Sequence, residues 1–405
     1  MKMMKRVLMV AFCCVFVFAL AACNNSAPPA QGGSAPAPQG SSPAASETPA
    51  PAPQPAASET PAPAPAAPAA TGDVMSTGPH NEKASPASSV TLTDAEMQKI
   101  KDGNYTVAIL FHYAGNDWST AQLAGLTDQF GKMGIKIVLT TDANFKPEQQ
   151  LSDIENAITM KPSAIVSIPV DAVSSAPAFM KAAQAGIKIV FMDNCPDGMT
   201  AGKDYTSVVS ADNYGNGVAS ATIMGQSLGG SGKIAMCFHD ANFFVTNQRD
   251  AAFRQTIKDQ FPNIQIVEEM GFDDANKGAE IGDALLTKHP DLNGIYATWD
   301  VPAEGVVSAI KAANRTDVIV TTIDLGDNVA KMIAANDTVK GLGAQRPYDQ
   351  GVTEALLVGY ALLGKDAPAY VALPALPVTH DNVLDAYKQV YHKDAPAAIQ
   401  DAYKK

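Results

Sequence analysis

Short apolar runs alternate with amphipathic stretches along most of the chain. The apolar runs lack polar–apolar alternation, as expected for strands that helices cover on both faces. The stretches between them repeat apolar residues with the helical period. The pattern predicts α/β architecture with parallel sheets. Predicted strands cover residues 106–112, 136–140, 164–169, 187–193, 233–238, 265–270, 295–298, 318–323 and 341–344, and predicted helices cover 117–133, 147–160, 175–185, 213–228, 242–261, 276–289, 302–313, 327–335 and 348–363.

Residues 1–23 have the pattern of a targeting segment. Basic residues, among them Lys5 and Arg6, precede an apolar stretch over residues 7–20, which is too short to span a membrane as a helix. Small residues then lead to Cys23. This pattern resembles a lipobox, in which cleavage leaves Cys23 as a lipid-modified first residue and anchors the protein to a membrane. The alternative is an ordinary secretory signal that is cut after Ala22.

Residues 24–90 are dominated by Pro, Ala, Ser and Gly, with hardly any large apolar side chain. Such a segment cannot bury enough apolar surface to offset the entropy lost on ordering. We therefore predict a disordered tether that is part coil and part polyproline II. The remaining residues, roughly 310 from position 91 onward, suffice for two lobes of ordinary size.

Charge and composition exclude some partners. The net charge is −12 and the pI is about 4.9, and Lys and Arg do not cluster after Arg6, so we expect no nucleic-acid partner. The His residues show no paired spacing with Cys or with each other, so we expect no metal and no cofactor. A disulfide between Cys195 and Cys237 is possible in an oxidising compartment. We do not expect one, because these residues fall on strands assigned to different lobes.

Polar and aromatic side chains gather where the predicted strands end. In open α/β sheets, ligands bind at the carboxyl ends of the strands. Both Trp residues of the chain occur there, and Trp299 follows the strand over 295–298. Candidate ligand-binding residues from these strand ends are His112, Asn116, Trp118, Asp193, Asn194, Trp299, Asp324 and Gln345.

This set of side chains suits a neutral, hydroxyl-rich ligand. Asp, Asn and Gln exchange hydrogen bonds with vicinal hydroxyls, and a Trp face packs on the C–H face of a sugar ring. Each residue also has a structural alternative. Asp117 and Asp300 are candidate helix caps, and both Trp side chains are candidate core residues. The similarity of six strand ends favours the functional interpretation.

Several of these motifs resemble the type I periplasmic-binding-protein superfamily, in its ribose- and galactose-binding branch. The resemblance covers about residues 104–375. It includes the run Gly115-Asn-Asp-Trp-Ser, the stretch from Trp299 to Gly305, and the pair Ala344-Gln345. The run Arg249-Asp-Ala-Ala-Phe resembles the family's Arg-x-x-Gly-Phe, with Ala252 in place of Gly.

The resemblance implies two lobes joined by three crossings, near residues 211–212, 345–346 and 372–374. The N-terminal lobe would comprise residues 91–211 and 346–373, and the C-terminal lobe residues 212–345 and 374–405. The resemblance also adds Arg249 to the ligand-binding set. Ribose binders commonly have Arg where this chain has Asn194 and an aromatic residue where it has Ser119. These departures favour a sugar or polyol other than ribose.

The function implied is that of a monomeric, lipid-anchored binding protein. It would capture a monosaccharide or polyol between its lobes and deliver it to an ABC permease. One alternative is a surface-anchored glycosidase or other sugar-acting hydrolase, since Asp193, Asp300 and Asp324 supply candidate carboxylates. No serine-nucleophile elbow or His-Glu-x-x-His motif accompanies them. Another alternative is a sugar-sensing subunit that signals closure to a membrane receptor.

Overall fold

The computed structural model describes residues 73–404. The predicted signal segment, the lipidation candidate Cys23 and most of the predicted tether lie outside these residues. Among the helices of residues 73–404, none combines the length and apolar character needed to cross a membrane.

The N-terminal lobe is built on a parallel 7-stranded sheet whose order is β1-β12-β6-β5-β4-β2-β3. Each strand pairs in parallel with its neighbour. The strands are β1 (Ser85–Pro86), β2 (Thr106–Phe111), β3 (Lys136–Asp142), β4 (Ala164–Ser167), β5 (Lys188–Met192), β6 (Ser207–Ala211) and β12 (Tyr370–Leu373).

The C-terminal lobe is built on a 6-stranded sheet whose order is β13-β11-β10-β9-β7-β8. All pairs are parallel except that between β11 and β13, which is antiparallel. The strands are β7 (Ser231–His239), β8 (Asn263–Phe272), β9 (Gly294–Ala297), β10 (Ile319–Ile323), β11 (Val339–Ala344) and β13 (Leu376–Thr379).

Helices connect the strands and pack on the sheets. They are α1 (Asp94–Asp102), α2 (Asp117–Met133), α3 (Pro147–Met160), α4 (Ala172–Gln184), α5 (Asn213–Ser227), α6 (Phe244–Gln260), α7 (Gly278–Lys288), α8 (Asp300–Ala312), α9 (Asp327–Ala334), α10 (Pro347–Leu363), α11 (Val383–Tyr391) and α12 (Ala397–Tyr403). The predicted class, α/β with two doubly wound parallel-sheet lobes, is confirmed. Its physical basis is the apolar strand pattern: the middle strands, such as β4 and β9, are buried along their whole length.

The chain passes between the lobes three times. It leaves the first sheet after β6 and enters α5, which packs on α6 and β11. It returns between β11 and α10, which packs on α2. The last passage joins β12 to β13. These positions follow the crossings that the resemblance implied.

Strand β6 was not predicted, although it joins the first sheet to the hinge. Its sequence, Ser-Val-Val-Ser-Ala, is short and has Ser at two of five positions. All five residues are nevertheless buried. Ser210 donates a hydrogen bond from its hydroxyl to the Asp193 carboxylate at 2.6 Å. A partner supplied by the tertiary structure thus permits a polar side chain in a buried strand.

The tether prediction is wrong at its C-terminal end. Residues 73–86, which we call the strap, pack on the folded body although their composition is that of a linker. The Asp212 carboxylate accepts hydrogen bonds from the backbone N–H groups of Met75 and Ser76, at 2.8 and 2.9 Å, and from the Ser76 hydroxyl at 2.8 Å. β1 then pairs with the edge strand β12. Composition alone could not show these partners, because the stabilising groups lie more than 130 residues away.

The strap contacts both lobes and the hinge. Val74 packs against the core of the N-terminal lobe. The carbonyl of Thr77 accepts a hydrogen bond from the side chain of Gln248, on α6 of the C-terminal lobe, at 3.0 Å. Asp212 lies between them at the first crossing and also caps α5 by accepting from the N–H of Gly215. One buried carboxylate therefore fixes a helix end and the strap together.

Asp212→Ala should release the strap. The substitution removes the α5 cap and leaves two strap N–H groups without their acceptor, so we expect a loss of about 2–4 kcal/mol in the free energy of unfolding. Limited proteolysis should show new cleavage at residues 73–90. The matched control is Asp171→Ala, which removes the α4 cap and should cost about 1 kcal/mol without exposing the strap. Equal cleavage of the two variants would contradict the role of Asp212.

Candidate ligand-binding cleft

A cavity lies between the lobes at the carboxyl ends of both sheets. About 490 Å³ of space free of protein atoms lies among its lining residues, part of it open to solvent. The lining residues are His112, Tyr113, Asn116, Trp118, Phe145, Ile168, Asp193, His239, Phe243, Val245, Thr246, Arg249, Trp299, Asp324 and Gln345.

The cavity brings together almost all of the predicted ligand-binding residues. Those that line it are His112, Asn116, Trp118, Asp193, Arg249, Trp299, Asp324 and Gln345. Asn194 is the exception. Its buried side-chain amide donates to the carbonyl of Pro169 at 3.2 Å, and the residue lines a separate groove on the strap side of the molecule. The left-handed backbone at Asp193 directs that side chain into the cavity and leaves Asn194 on the other side.

A hydrogen-bond network forms the polar face of the cavity. Arg249 donates from Nε to Asn213 at 2.9 Å, and its Nη1 lies 3.3 Å from the Asp324 carboxylate. Asp324 also accepts from the side chain of Gln345 at 2.7 Å. Asn213 donates to Ser210, which donates to Asp193. The network therefore runs from one lobe, through the first crossing, to the other lobe.

Three cavity residues have left-handed backbone conformations. These are Phe145 with φ 56°, Asp193 with φ 52° and Asp324 with φ 70°. A non-glycine residue in this region costs of order 1–3 kcal/mol and persists where the surrounding structure holds it. Asp193 directly follows β5 and Asp324 directly follows β10. The left-handed turn at each residue directs its carboxylate into the cavity. Such strain is typical of ligand sites.

Burial dominates the electrostatics of Asp193. Loss of hydration raises the pKa of its carboxyl from 3.8 to about 6, opposed by the hydrogen bond from Ser210 and by the charge of Arg249. Asp193 therefore carries a proton more readily than an exposed carboxyl does. A hydroxyl-bearing ligand can exchange hydrogen bonds with either form.

The two cavity histidines are neutral. Burial lowers the pKa of His112 to about 3, and burial also lowers that of His239 to about 4, although Asp240 acts in the opposite direction. A neutral imidazole packs as an aromatic ring and keeps one donor and one acceptor. At neutral pH, positive charge at this cavity comes from Arg249.

Aromatic rings form a second, contiguous face. His112 stacks on Phe243 with centroids 5.5 Å apart and meets Phe145 edge-on at 4.9 Å. His239 meets Trp299 edge-on at 5.3 Å. The first pair joins the two lobes, because His112 follows β2 and Phe243 precedes α6. Phe243 and Val245 belong to the hydrophobic cluster of the N-terminal lobe.

Several cavity residues were not predicted. Tyr113 and His239 lie at strand ends, and that signal could have included them. Phe145, Phe243 and Val245 lie in or after loops between strand and helix, where sequence patterns do not distinguish core from cavity. Ile168 and Thr246 likewise reach the cavity only through the packing of their lobes.

Asp117 and Asp300 do not line the cavity, and neither is a helix N-cap. The caps are Asn116, whose side chain accepts from the N–H of Ser119, and Trp299. Asp117 instead accepts from the N–H of Asp327 at 2.7 Å, a contact between the lobes. Burial, with Asp324 and Glu304 nearby, raises the pKa of Asp300 well above its ordinary value.

Three lining residues offer polar atoms that have no protein partner. They are His112 Nδ1, Trp118 Nε1 and Gln345 Oε1, all buried. A buried polar atom without a partner is costly, and ordered water or a ligand commonly supplies the missing bond.

Within residues 73–404, no group of three or more His, Cys, Asp or Glu side chains is arranged to hold a metal ion. Cys195 and Cys237 are buried free thiols.

Comparison with known proteins gives one consistent family. The profile of a family described as "periplasmic binding protein domain" matches residues 107–366. The ribose import binding protein of Bacillus subtilis is 26% identical over 271 residues, covering 67% of this chain and 86% of that protein. The D-apiose import binding protein of Actinobacillus succinogenes is 26% identical over 266 residues, covering 65% of this chain and 84% of that protein.

Solved structures show the same architecture. An ABC transporter solute-binding protein from Mycobacterium smegmatis with bound glycerol has a TM-score of 0.65 and 26% identity, covering 73% of this chain and 100% of that one. One from Agrobacterium vitis with bound α-D-tagatopyranose has a TM-score of 0.66 and 22% identity, covering 71% of this chain and 100% of that one. At that identity the second likeness concerns the fold alone.

Asp193→Asn should stabilise the unliganded protein near neutral pH. Because the folded-state pKa of Asp193 lies above its ordinary value, this group lowers the free energy of unfolding as pH rises from about 4 to about 6. Asn removes that loss, so the variant should be more stable at pH 7 by up to about 3 kcal/mol. Urea unfolding between pH 4 and pH 8 measures the difference. The exposed control Asp381→Asn should leave the dependence of unfolding free energy on pH unchanged. If Asp193→Asn also showed the pH dependence of the parent protein, the raised pKa would not belong to Asp193.

Proposed function

Since the chain belongs to the periplasmic binding protein domain family, we propose that it is an extracytoplasmic binding protein for a monosaccharide or related polyol. It holds the ligand between its lobes and delivers it to an ABC permease. The curated relatives are named as ribose and D-apiose import binding proteins, and this supports the ligand class and the transport role. Asn194 in the place of the ribose binders' Arg favours a ligand other than ribose.

The observation that carries the proposal is the network that joins Asp193, Arg249, Asp324 and Gln345 around the interlobe cavity. Charged and amide groups that are already held in place give strong hydrogen bonds to hydroxyls. Trp118 from one lobe and Trp299 from the other supply flat apolar faces for a sugar ring. We assign ligand contact to these six residues together with His112 and Asn116.

The mechanism is closure of a hinge. The ligand favours the closed form because it contacts both lobes there and only one lobe in an open form. In this structure, Asp117 of one lobe accepts from the N–H of Asp327 of the other, and we propose that this contact belongs to the closed form. The permease then recognises the closed surface. Because both walls of the cavity come from one chain, a monomer suffices for binding.

We propose that Cys23 carries a lipid anchor. The basic residues, the apolar stretch and the small residues before Cys23 support this. The segment between Cys23 and the strap has linker composition, so the binding lobes can search the space near the membrane. We propose no chemical step on the ligand, because the curated relatives are named as binding proteins.

A panel of pentoses, hexoses, inositols and furanone-type signals should identify a ligand that raises the melting temperature. Trp299→Ala should weaken its binding at least about tenfold, because the variant loses a buried stacking surface. Isothermal titration calorimetry measures the affinity. Chromatography of the incubated ligand should show no product.

The matched control for Trp299→Ala is Phe179→Ala. Phe179 is fully buried in the N-terminal lobe and does not line the cavity, so its loss should reduce stability and leave affinity unchanged. Turnover of the ligand would contradict the binding role and favour a hydrolase. Unchanged affinity in Trp299→Ala would contradict the contact assigned to Trp299.

Cys23→Ser should abolish lipidation. In a bacterial host, the parent protein should incorporate a radiolabelled fatty acid and fractionate with membranes, since acyl chains at the first residue hold it there. The variant should lose the label and leave the membrane fraction. Cys195→Ser is the matched control, because that thiol is buried in the folded lobe, and it should retain the label. Label that persists in Cys23→Ser would overturn the lipobox assignment.

A further inference from the structure

The cavity has two chemically different faces, and this difference bears on which sugar the proposed function takes. The polar network, anchored at Asn213, lies beside the first crossing and is the hinge side of the cavity. The aromatic face lies around the loop after β3 and the start of α6, farther along the cleft. Each face is continuous: the rings contact one another, and Asp193 joins Arg249, Asp324 and Gln345 through Ser210 and Asn213.

The polar face is rich in hydrogen-bonding capacity. Asp193, Arg249, Asp324 and Gln345 place two carboxylates, a guanidinium and an amide on one side, and Gln345 keeps an unpartnered oxygen. These groups are buried, between 2% and 8% exposed. A ligand edge with several hydroxyls fits this side, because every hydroxyl can both donate and accept.

The other face presents mostly apolar atoms, and its polar atoms besides Thr246 belong to the His112 and His239 imidazoles and to the Tyr113 hydroxyl. Phe145, Phe243 and Val245 present apolar atoms to the cavity. The Thr246 hydroxyl is already engaged: it donates to the carbonyl of Phe243 at 3.2 Å and lies 3.3 Å from Nδ1 of His239.

The cavity is lined by more apolar side chains than are needed to stack on the faces of a fully hydroxylated sugar ring. A sugar ring has two C–H faces, and in the proposed function Trp118 and Trp299, from opposite lobes, cover them. The apolar side chains Phe145, Phe243 and Val245 are then left to meet the edge of the ring. A hydroxyl placed against them would lose its water without gaining a partner.

We infer that the preferred ligand is a deoxy sugar, a monosaccharide-sized ring with hydroxyls along the edge that meets Arg249 and Asp324 and a methyl or methylene carbon at the edge that meets Phe243 and Val245. The inference rests on the proposed sugar-binding function and narrows it. Burying the apolar carbon gains the hydrophobic free energy that a hydroxyl there would forfeit.

Matched sugar pairs test this directly. The pairs are D-fucose with D-galactose, L-rhamnose with L-mannose, 6-deoxy-D-glucose with D-glucose, and 2-deoxy-D-ribose with D-ribose. The members of each pair differ by one hydroxyl. In the pair that contains the tightest ligand, the deoxy sugar should bind at least about tenfold more tightly by isothermal titration calorimetry at pH 7.

Val245→Thr tests which face carries the preference. The change keeps the shape of the side chain and adds a hydroxyl to the aromatic face, so the affinity ratio between deoxy and hydroxylated sugar should fall at least about threefold. A ratio of affinities is insensitive to any loss of stability in the variant. Val173→Thr is the matched control at an exposed position and should leave the ratio unchanged.

The outcomes separate this inference from the proposed function. If the hydroxylated member of the best pair binds as tightly as the deoxy member, the deoxy preference is wrong and sugar binding stands. The same holds if only a fully hydroxylated polyol from the wider panel binds. If nothing in either panel binds, both are wrong. An unchanged ratio in Val245→Thr would refute the assignment of the apolar edge.

Discussion

The buried guanidinium of Arg249 is the interaction on which the cleft depends. Arg249 is 3% exposed, and a buried charge is tolerated only when its hydrogen bonds and its charge are matched. Asn213, the carbonyl of Thr298 and the Asp324 carboxylate provide these partners. Asn213 follows the first crossing, Thr298 follows β9 and Asp324 follows β10. Solvating one cation inside the protein therefore fixes the positions of two strand ends, those of β9 and β10, relative to the hinge.

The same requirement explains why acidic residues line the cavity. Asp324 compensates Arg249 and is itself held by Gln345. Asp193 accepts from the neutral Ser210 hydroxyl and forms no ion pair with Arg249, so burial raises the pKa of its carboxyl. Away from this network the cavity is closed by rings, because His112 and Phe243 from opposite lobes stack there. Closure thus combines a polar hinge side with an aromatic side.

The strap shows how a segment of linker composition becomes part of the folded body. Its own side chains bury little apolar surface, and its order depends on Asp212 and on the free edge of β12. Asp212 lies at the first crossing, next to Asn213 of the cavity network. The strap, the hinge and the cavity therefore meet at two consecutive residues of the chain.

The sequence by itself determined the class of fold and most of the cavity. The apolar runs predicted the strands, the helices Asp117–Met133 and Pro147–Met160 begin and end at the predicted residues, and the strand-end rule collected His112, Trp118, Trp299 and Asp324. These features depend on local periodicity and on the common edge where parallel strands end.

The tertiary structure decided the rest. β6 and the strap are ordered by distant partners that local composition does not encode. Asn194 turns away because the left-handed turn at Asp193 directs only one of the two side chains inward. Phe145, Phe243 and Val245 form the aromatic side because loops from two lobes, about 100 residues apart in sequence, meet only when the lobes close.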